Sequence, residues 1–390
     1  MNKKVAFVFH KVDYASGGNA SMLDVVRNIK ANCSFDIVAI VPKHSNSIVR
    51  PIANVLNDIG IPTIEANFYS SRYEFTSLNF RTPLKILKCF ARNLVSLFSC
   101  VTLYNRLKKE NISLIYSNTS DIYIGAVLAN MLRVKHIWHF REFGIEDQRN
   151  HHLIGDRAFY ILAKQLSDEI VVISNALKNK VTQFVSPTEV NMIYDDVTIS
   201  NVSSIVRCKG GISLPKMLIV GTLSPGKGQL EVIRALASLK NKNINFKLGI
   251  AGHDTGDYAL FLKSEVVKLG LQDYVEFLGF SDNLSAVRND YNISIVASHA
   301  EAFGRVTIEA MYSGLIVVGI NNGANNELIQ HNVTGFIYKT SEQLISTILS
   351  IINDEHNVEE IRTNALQYAS GFLEGKASFQ IMELINKHLK

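Results

Sequence analysis

Short apolar runs alternate with longer stretches of mixed polarity along this chain. Residues 5–9, 36–41, 114–117, 136–139 and 169–173 are brief, rich in β-branched and aromatic side chains, and read as strands. Apolar positions at helical spacing in 21–30 and 122–132 predict helices between them. After a polar stretch at 198–213 the pattern starts again, with strand-like runs at 216–220, 246–251, 275–277, 293–297 and 316–319. These runs are predominantly apolar on both alternating sets of positions. Such strands are buried on both faces, as in a parallel sheet covered by helices on both sides. The fold class expected is therefore α/β, as two doubly wound domains. The expected bounds are 1–198 and 199–370, with a helix at 371–390 closing the chain. No repeat of solenoid length is visible.

Composition narrows the class. The chain has 390 residues, 47% apolar and 19% charged, ample for two cores at ~100–200 residues per domain. Its 7 prolines and 23 glycines exclude a collagenous or low-complexity chain. Cys33, Cys89, Cys100 and Cys208 show neither Cys-x-x-Cys nor zinc-ligand spacing. They read as small buried hydrophobes in a reducing, cytoplasmic setting. Residues 1–10 read as a first strand after a charged start rather than as a signal peptide. No stretch is expected to reach the ~20 apolar residues of a spanning helix; the uncharged candidate at 93–105 falls well short.

Charge is uneven. Residues 1–198 hold 23 Lys and Arg against 17 Asp and Glu, while 199–390 hold 17 against 18. A basic first half points to an acidic partner, such as a membrane surface or a lipid pyrophosphate. No nucleic-acid motif is present, and no nucleic acid is expected as partner.

The candidate chemistry concentrates at 298–314, Ser-His-Ala-Glu301-Ala-Phe-Gly-Arg-Val-Thr-Ile-Glu309-Ala-Met-Tyr-Ser-Gly. An apolar strand leads into it, and a short helix is expected from near Gly304 to before Gly314. Unpaired N–H groups and the helix dipole make such a helix start a phosphate site. Glu301 before the turn and Glu309 inside the helix suit the hydroxyls of a sugar nucleotide.

This segment resembles the retaining glycosyltransferases of family 4 (glycosyl transferases group 1), which carry a Glu-x7-Glu signature. The likeness continues through 314–323 and 326–336. It implies the GT-B fold: two Rossmann-like domains facing a cleft, with the C-terminal helix crossing back to the N-terminal domain. It also implies residue roles. Glu301 would orient the sugar and Glu309 hold the ribose, with the backbone at Phe303, Gly304, Arg305 and Val306 on the diphosphate. Lys227, in Val220-Gly-Thr-Leu-Ser-Pro-Gly-Lys-Gly-Gln229, matches the phosphate-binding lysine. Thr222 stands where the family usually has arginine, a departure that removes one cation. Gly17 and Gly18 follow the first strand, where the family has a Gly-Gly loop at the donor phosphate. His139 ends a strand and matches the histidine that contacts the donor sugar. Arg141 and Glu142 resemble a variant of polysaccharide-assembly members, and a structural ion pair explains them equally well. Ser174 and 192–197 follow the family pattern, with Asp195 and Asp196 read as a loop or helix cap rather than a metal site.

The activity implied is transfer of a sugar from a nucleotide diphosphate sugar, UDP being the commonest nucleotide, to a glycan or lipid-pyrophosphate-linked acceptor. Anomeric configuration would be retained and no metal required. The setting would be bacterial surface-polysaccharide assembly, including lipopolysaccharide. Two alternatives remain open: a catalytically silent GT-B partner that binds nucleotide sugar, and a glycoside hydrolase using the two glutamates.

Residues 72–109 carry Arg72, Arg81, Lys85, Lys88, Arg92, Arg106, Lys108 and Lys109. Leu84, Leu87, Ala91, Leu94 and Phe98 share one helical face. Two readings stand side by side. One is a basic amphipathic helix on an anionic membrane, peripheral on the inner face of the cytoplasmic membrane. The other is a helix packed on the first sheet with its basic face in water.

Overall fold

Each half of the chain builds its own parallel sheet in the computed structural model, which describes residues 3–14, 16–43, 50–75, 82–199, 212, 214–373 and 375–390. The polar link expected at 198–213 lies almost wholly outside the described residues, as do Arg81 and Cys208. Unit 1 comprises Met1–Asp196 with Gly375–Lys390, and unit 2 comprises Val197–Glu374.

Unit 1 runs β1 (Lys4–Val8), α1 (Gly17–Asn32), β2 (Asp36–Pro42), α2 (Ile52–Asp58), β3 (Thr63–Ala66) and β4 (Arg72–Glu74). A long α3 (Thr82–Lys109) then leads to β5 (Ile112–Asn118), α4 (Ile124–Leu132), β6 (Lys135–Phe140), α5 (Ile145–Gln148) and β7 (Asn150–His152). It continues through α6 (Asp156–Leu166), β8 (Glu169–Val172), α7 (Asn175–Val181) and β9 (Val190–Met192). Seven strands form one sheet in the order β3-β2-β1-β5-β6-β8-β9. Val5 lies between Ile37 and Leu114, at the centre of the parallel register. Val5, Ala6, Phe7 and Val8 have no exposed surface, which is why that strand reads as a continuous apolar run. The apolar-run criterion does not pick out the outer strands β3 and β9. It also misses the antiparallel pair β4–β7, where Arg72 faces His152.

Unit 2 repeats the plan with β10 (Lys216–Val220), α8 (Gln229–Asn241), β11 (Lys247–Ala251), α9 (Asp257–Lys268) and β12 (Val275–Gly279). Then come α10 (Leu284–Arg288), β13 (Ile293–Val296), α11 (Arg305–Tyr312), β14 (Ile316–Ile320), α12 (Asn325–Leu328), β15 (Phe336–Tyr338), α13 (Ser341–Ile352) and α14 (Val358–Ser370). The sheet order is β12-β11-β10-β13-β14-β15, all parallel.

The last helix, α15 (Lys376–Leu389), belongs to unit 1. Ile381, Ile385 and Leu389 recur every four residues and enter the same core as Met22, Val26 and Ile29 of α1. Each buried aliphatic side chain is worth about 1.5–3 kcal/mol. Asp196 holds the helix start, accepting from the backbone N–H of Ala377 at 3.0 Å and of Ser378 at 2.9 Å.

Two sequence expectations fail at α3. The helix is 28 residues long and contains an 18-residue window of mean hydropathy 1.5, so by length and composition it is able to cross a membrane. Arg92 interrupts the uncharged run without interrupting the helix. Its orientation also reverses the packed-helix reading. Over its first two thirds the inward side is small and polar, with Cys89, Asn93, Ser96, Ser99 and Cys100 buried, and only its end is apolar, through Leu103 and Leu107. Leu84, Leu87, Phe90, Leu94, Phe98 and Val101 are each at least half exposed. An amphipathic surface helix ordinarily does the opposite.

Candidate functional site

In unit 2 the site is assembled from two strand ends. The chain leaves β10 through Gly221 and Thr222, makes a 3-10 turn at Pro225–Lys227, and enters α8 through Gly228. Gly228 has φ +70°, and a Cβ there would stand 2.2 Å from the carbonyl oxygen of Ala297. Only glycine allows this turn to lie against the end of β13. The backbone N–H of His299 donates to the Gly226 carbonyl at 2.9 Å, joining the two loops. Lys227 is thereby brought to Glu301, with Nζ 3.2 Å from Oε2.

Beyond Glu301 the chain turns through Gly304, the N-cap of α11, at φ +98°. One turn into the helix, Glu309 is gripped by two arginines. Arg288 Nη2 lies 2.5 Å from Oε2 and Arg305 Nε 3.6 Å from Oε1. Arg288, at the end of α10, has a side chain only 3% exposed, and its Nε has no partner among the described residues. Sequence reasoning missed it, because 284–290 carries no motif and the contact spans 21 positions. Phe303 contributes backbone only, since its ring packs against Phe372 at 6.0 Å between centroids. Thr222 is exposed, and its carbonyl accepts from Gln229 Nε2 at 3.1 Å. Val306 is half-buried in the first turn of α11.

This arrangement holds separated plus and minus charges on one turn. Lys227 is about one-third exposed and Glu301 less than one-fifth, so an entering anion has access to the lysine. Fixed N–H groups at the start of α11 add to its pull.

In unit 1 the predicted residues also meet, but deep in the fold. His139, next to last in β6, has no exposed surface, and burial together with Arg141 holds its imidazole well below the usual histidine range. Its Nδ1 lies 2.7 Å from the Tyr116 hydroxyl and 3.2 Å from Arg141 Nη2. A guanidinium is a donor only, so Nδ1 accepts and the ring proton sits on Nε2. That N–H is buried and has no partner among the described residues. Arg141 Nε donates to Asn118 Oδ1 at 2.5 Å, and Nη1 pairs with Asp195. Asn118 Nδ2 in turn donates to the Gly18 carbonyl at 2.9 Å. Gly18 lies against His10 and Thr119, while a Cβ on Gly17 would meet open space. Burial lowers the His10 imidazole to about 4.

Two expectations are corrected here. Arg141 and Glu142 do not pair with each other. Both follow the end of β6, where Arg141 reaches Asp195 while Glu142 accepts from Ser120 N–H at 2.6 Å. Asp195 lies in the loop expected for it and pairs with Arg141, and Asp196 accepts from the first N–H groups of α15. Arg72 is no part of a basic surface. It is buried with Asp121 at 3.4 Å, Glu142 at 3.8 Å and His152 Nε2 at 3.2 Å. Burial and the nearby Asp121 push the Glu142 carboxyl up to about 7. Ser174 caps α7, accepting from the Leu177 N–H at 3.1 Å. Among the described residues, no cluster of three or more His, Cys, Asp or Glu is placed to hold a metal ion.

Residues 212–368 match the family model described as glycosyl transferases group 1. An uncharacterized glycosyltransferase of Methanocaldococcus jannaschii is 29% identical over 62% of this chain and 66% of its own length. An α-1,4-N-acetyl-D-galactosaminyltransferase of Campylobacter jejuni, named for an undecaprenol-diphosphate-linked glycan, is 29% identical over 40% of this chain and 44% of its own. The chain thus spans from under half to about two thirds of the length of these relatives. The crystal structure of Anabaena HepE in complex with UDP and glucose aligns with 98% of this chain and 99% of its own at TM-score 0.74 and 21% identity. That likeness shows the GT-B fold, and the group 1 family resemblance is carried by unit 2.

Proposed function

We propose that this chain is a glycosyltransferase whose unit 2 binds a nucleotide diphosphate sugar, with UDP as nucleotide, and transfers the sugar with retention to a glycan or lipid-linked hydroxyl. The observation that carries this reading is the pairing of Lys227 with Glu301 beside the start of α11, next to Glu309 held by Arg288 and Arg305. A diphosphate arriving at Lys227 and the α11 amides frees the Glu301 carboxylate for the sugar. The growing charge on the departing diphosphate is then met by groups already in place. Glu309, oriented by two arginines, accepts from the ribose hydroxyls. In unit 1, the open Nε2–H of His139 is the donor available to a sugar hydroxyl, and the backbone at Gly17 and Gly18 is the approach for phosphate.

The relatives support the class without naming the acceptor of this chain. HepE was crystallised with UDP and glucose, and the Campylobacter relative is named for a lipid-linked acceptor. A hydrolase reading fits less well, because each of the two glutamates sits on a cation rather than in the apolar pocket that a glycosidase acid requires. We assign the work to bacterial surface-polysaccharide assembly, at the inner face of the cytoplasmic membrane.

The test is a thermal-shift screen of UDP- and GDP-sugars, followed by a radiolabelled nucleotide-sugar hydrolysis assay. Stabilisation by one donor with slow nucleotide release supports the transferase. Binding without turnover on any acceptor supports the silent partner, and cleavage of a nitrophenyl glycoside supports the hydrolase.

A further inference from the structure

The reversed face of α3 borders a cavity. A space of about 410 Å³ lies between α3, α4 and α6, with Trp138 also on its wall, within the range of about 300–1,000 Å³ typical of ligand sites. Its walls are Leu94 and Leu97 of α3, Val127 of α4, and Leu162 and Ala163 of α6, with Phe159 at the base. Three polar side chains on the wall are already engaged. Ser71 Oγ donates to the Asp121 carbonyl, Asn93 Nδ2 to the Cys89 carbonyl, and the Tyr123 hydroxyl to the Asn93 carbonyl. His152 keeps one open atom, Nδ1. The interior is otherwise hydrocarbon. The mouth is marked by side chains that line the cavity and are also 43–53% exposed: Phe90, Leu94, Leu97, Ile154 and Leu162.

We propose that this cavity takes the hydrocarbon chain of an anionic membrane lipid, with the exposed apolar side of α3 lying in the lipid surface. A solvated protein surface does not ordinarily present so many large apolar groups in one patch. Charge selects the occupant. Lys88 and Arg92 border the apolar stripe and have no acidic partner among the described residues, Arg92 resting on the Tyr69 ring at 5.5 Å. Cations beside an apolar helix face match anionic headgroups above acyl tails. The cavity gives one chain a place beyond the interface, which a flat helix lacks. Connecting that lipid to the acceptor rests on the transferase reading; binding of the chain itself does not.

The probe is 11-(dansylamino)undecanoic acid, whose fluorescence rises in an apolar site. It is expected to bind and to be displaced by undecaprenyl phosphate or by phosphatidylglycerol, and the stronger competitor identifies the lipid. Filling the cavity with Ala163→Phe should weaken probe binding by about tenfold or more. Leu94→Glu, at the exposed mouth, should do the same and covers the case in which Ala163→Phe fails to fold. Lys88→Glu with Arg92→Glu should weaken flotation on vesicles of phosphatidylcholine with phosphatidylglycerol and leave pure phosphatidylcholine unaffected. UDP binding by unit 2 should survive in every variant. Probe binding unchanged in Leu94→Glu overturns the proposal. So does a lipid-free dimer in sedimentation that Leu94→Glu dissociates, since a second copy would then cover the face. Loss of UDP binding or turnover with intact probe binding counts against the transferase reading alone.

Discussion

The two units hold their reactive groups in opposite ways. In unit 2 the phosphate-facing pair stands on turns: Lys227 and Glu301 keep 37% and 18% of their side chains in solvent, beside Glu309 on α11, which is held by the buried Arg288. In unit 1 the reactive groups are sunk, with Arg141 and Asp195 each 3% exposed and His139 fully buried. Hydrated pairs are weak and exchange readily for a charged ligand. A buried pair is costly to separate and serves as a rigid frame. The Lys227–Glu301 turn of unit 2 is therefore built to trade partners, and the Arg141–Asp195 frame of unit 1 to hold a shape beside the Nε2–H of His139.

The sharpest way to break that contrast is Asp195→Ala. It strands the buried Arg141 charge and should cost unit 1 about 3–5 kcal/mol. Trp138, the single tryptophan, is buried in unit 1, so urea unfolding followed by its fluorescence reads this unit. A loss below about 1 kcal/mol, the range of an exposed pair, would end the frame argument. Glu301→Ala should leave stability nearly unchanged and lower turnover by about 10²–10³, the scale of removing one preorganised electrostatic group. Steady-state assays with the donor identified by thermal shift give this, and an unaltered kcat would remove Glu301 from the site. Arg288→Ala should act on donor affinity more than on kcat, weakening UDP binding by about tenfold, since Glu309 loses its shorter cation contact. Isothermal titration with UDP measures it.

A smaller effect concerns acid. Burial lowers the imidazoles of His10 and His136 to about 4 and about 3, and those of His139 and His152 well below their usual range. All four lie in unit 1. In unit 2, His253, His299, His331 and His356 are exposed or half-buried. A histidine whose folded pKa is depressed contributes stability that is complete above about pH 6.5. That stability is lost as pH falls through the folded value, because the unfolded chain takes the proton first. Trp138 fluorescence should accordingly report unfolding of unit 1 between about pH 6 and 4, and His136→Gln should move that midpoint down by roughly half a pH unit. The opposite shift would contradict the burial argument. The mildest test is Thr222→Arg. It adds a cation on an exposed loop and should tighten UDP binding about two- to fivefold, a surface-pair effect of under 1 kcal/mol.

Much of unit 2 was legible because its site is local in sequence. Glu301 and Glu309 lie eight positions apart on one turn and its helix, so their spacing alone implies a shared side. Lys227 follows its strand by seven positions, and its loop chemistry is readable from Pro225, Gly226 and Gly228. What stayed hidden was reached across the chain: Arg288 to Glu309, Arg141 to Asp195, Arg72 to Asp121. The basic look of 72–109 misled for the same reason, since sequence shows that an arginine is present and not which carboxylates surround it. The α3 expectation failed differently. Periodicity located an apolar stripe and left open whether it packs on the sheet or lies outward, and the exposure of Leu84, Leu87, Leu94 and Phe98 opposes the packed reading.

Period and punctuation in this sequence were sufficient to determine two parallel α/β sheets, the strand-to-helix turns, and the residues standing on them, because each follows from interactions within a few positions of backbone. Which charges pair, which imidazole nitrogen is left open, and which side of α3 meets the protein were decided only by the tertiary structure. Those outcomes depend on burial and on partners distant in sequence, as for Arg72 and His152, 80 positions apart, and His139 and Tyr116, 23 apart, and neither burial nor distance is a property of a local stretch of chain.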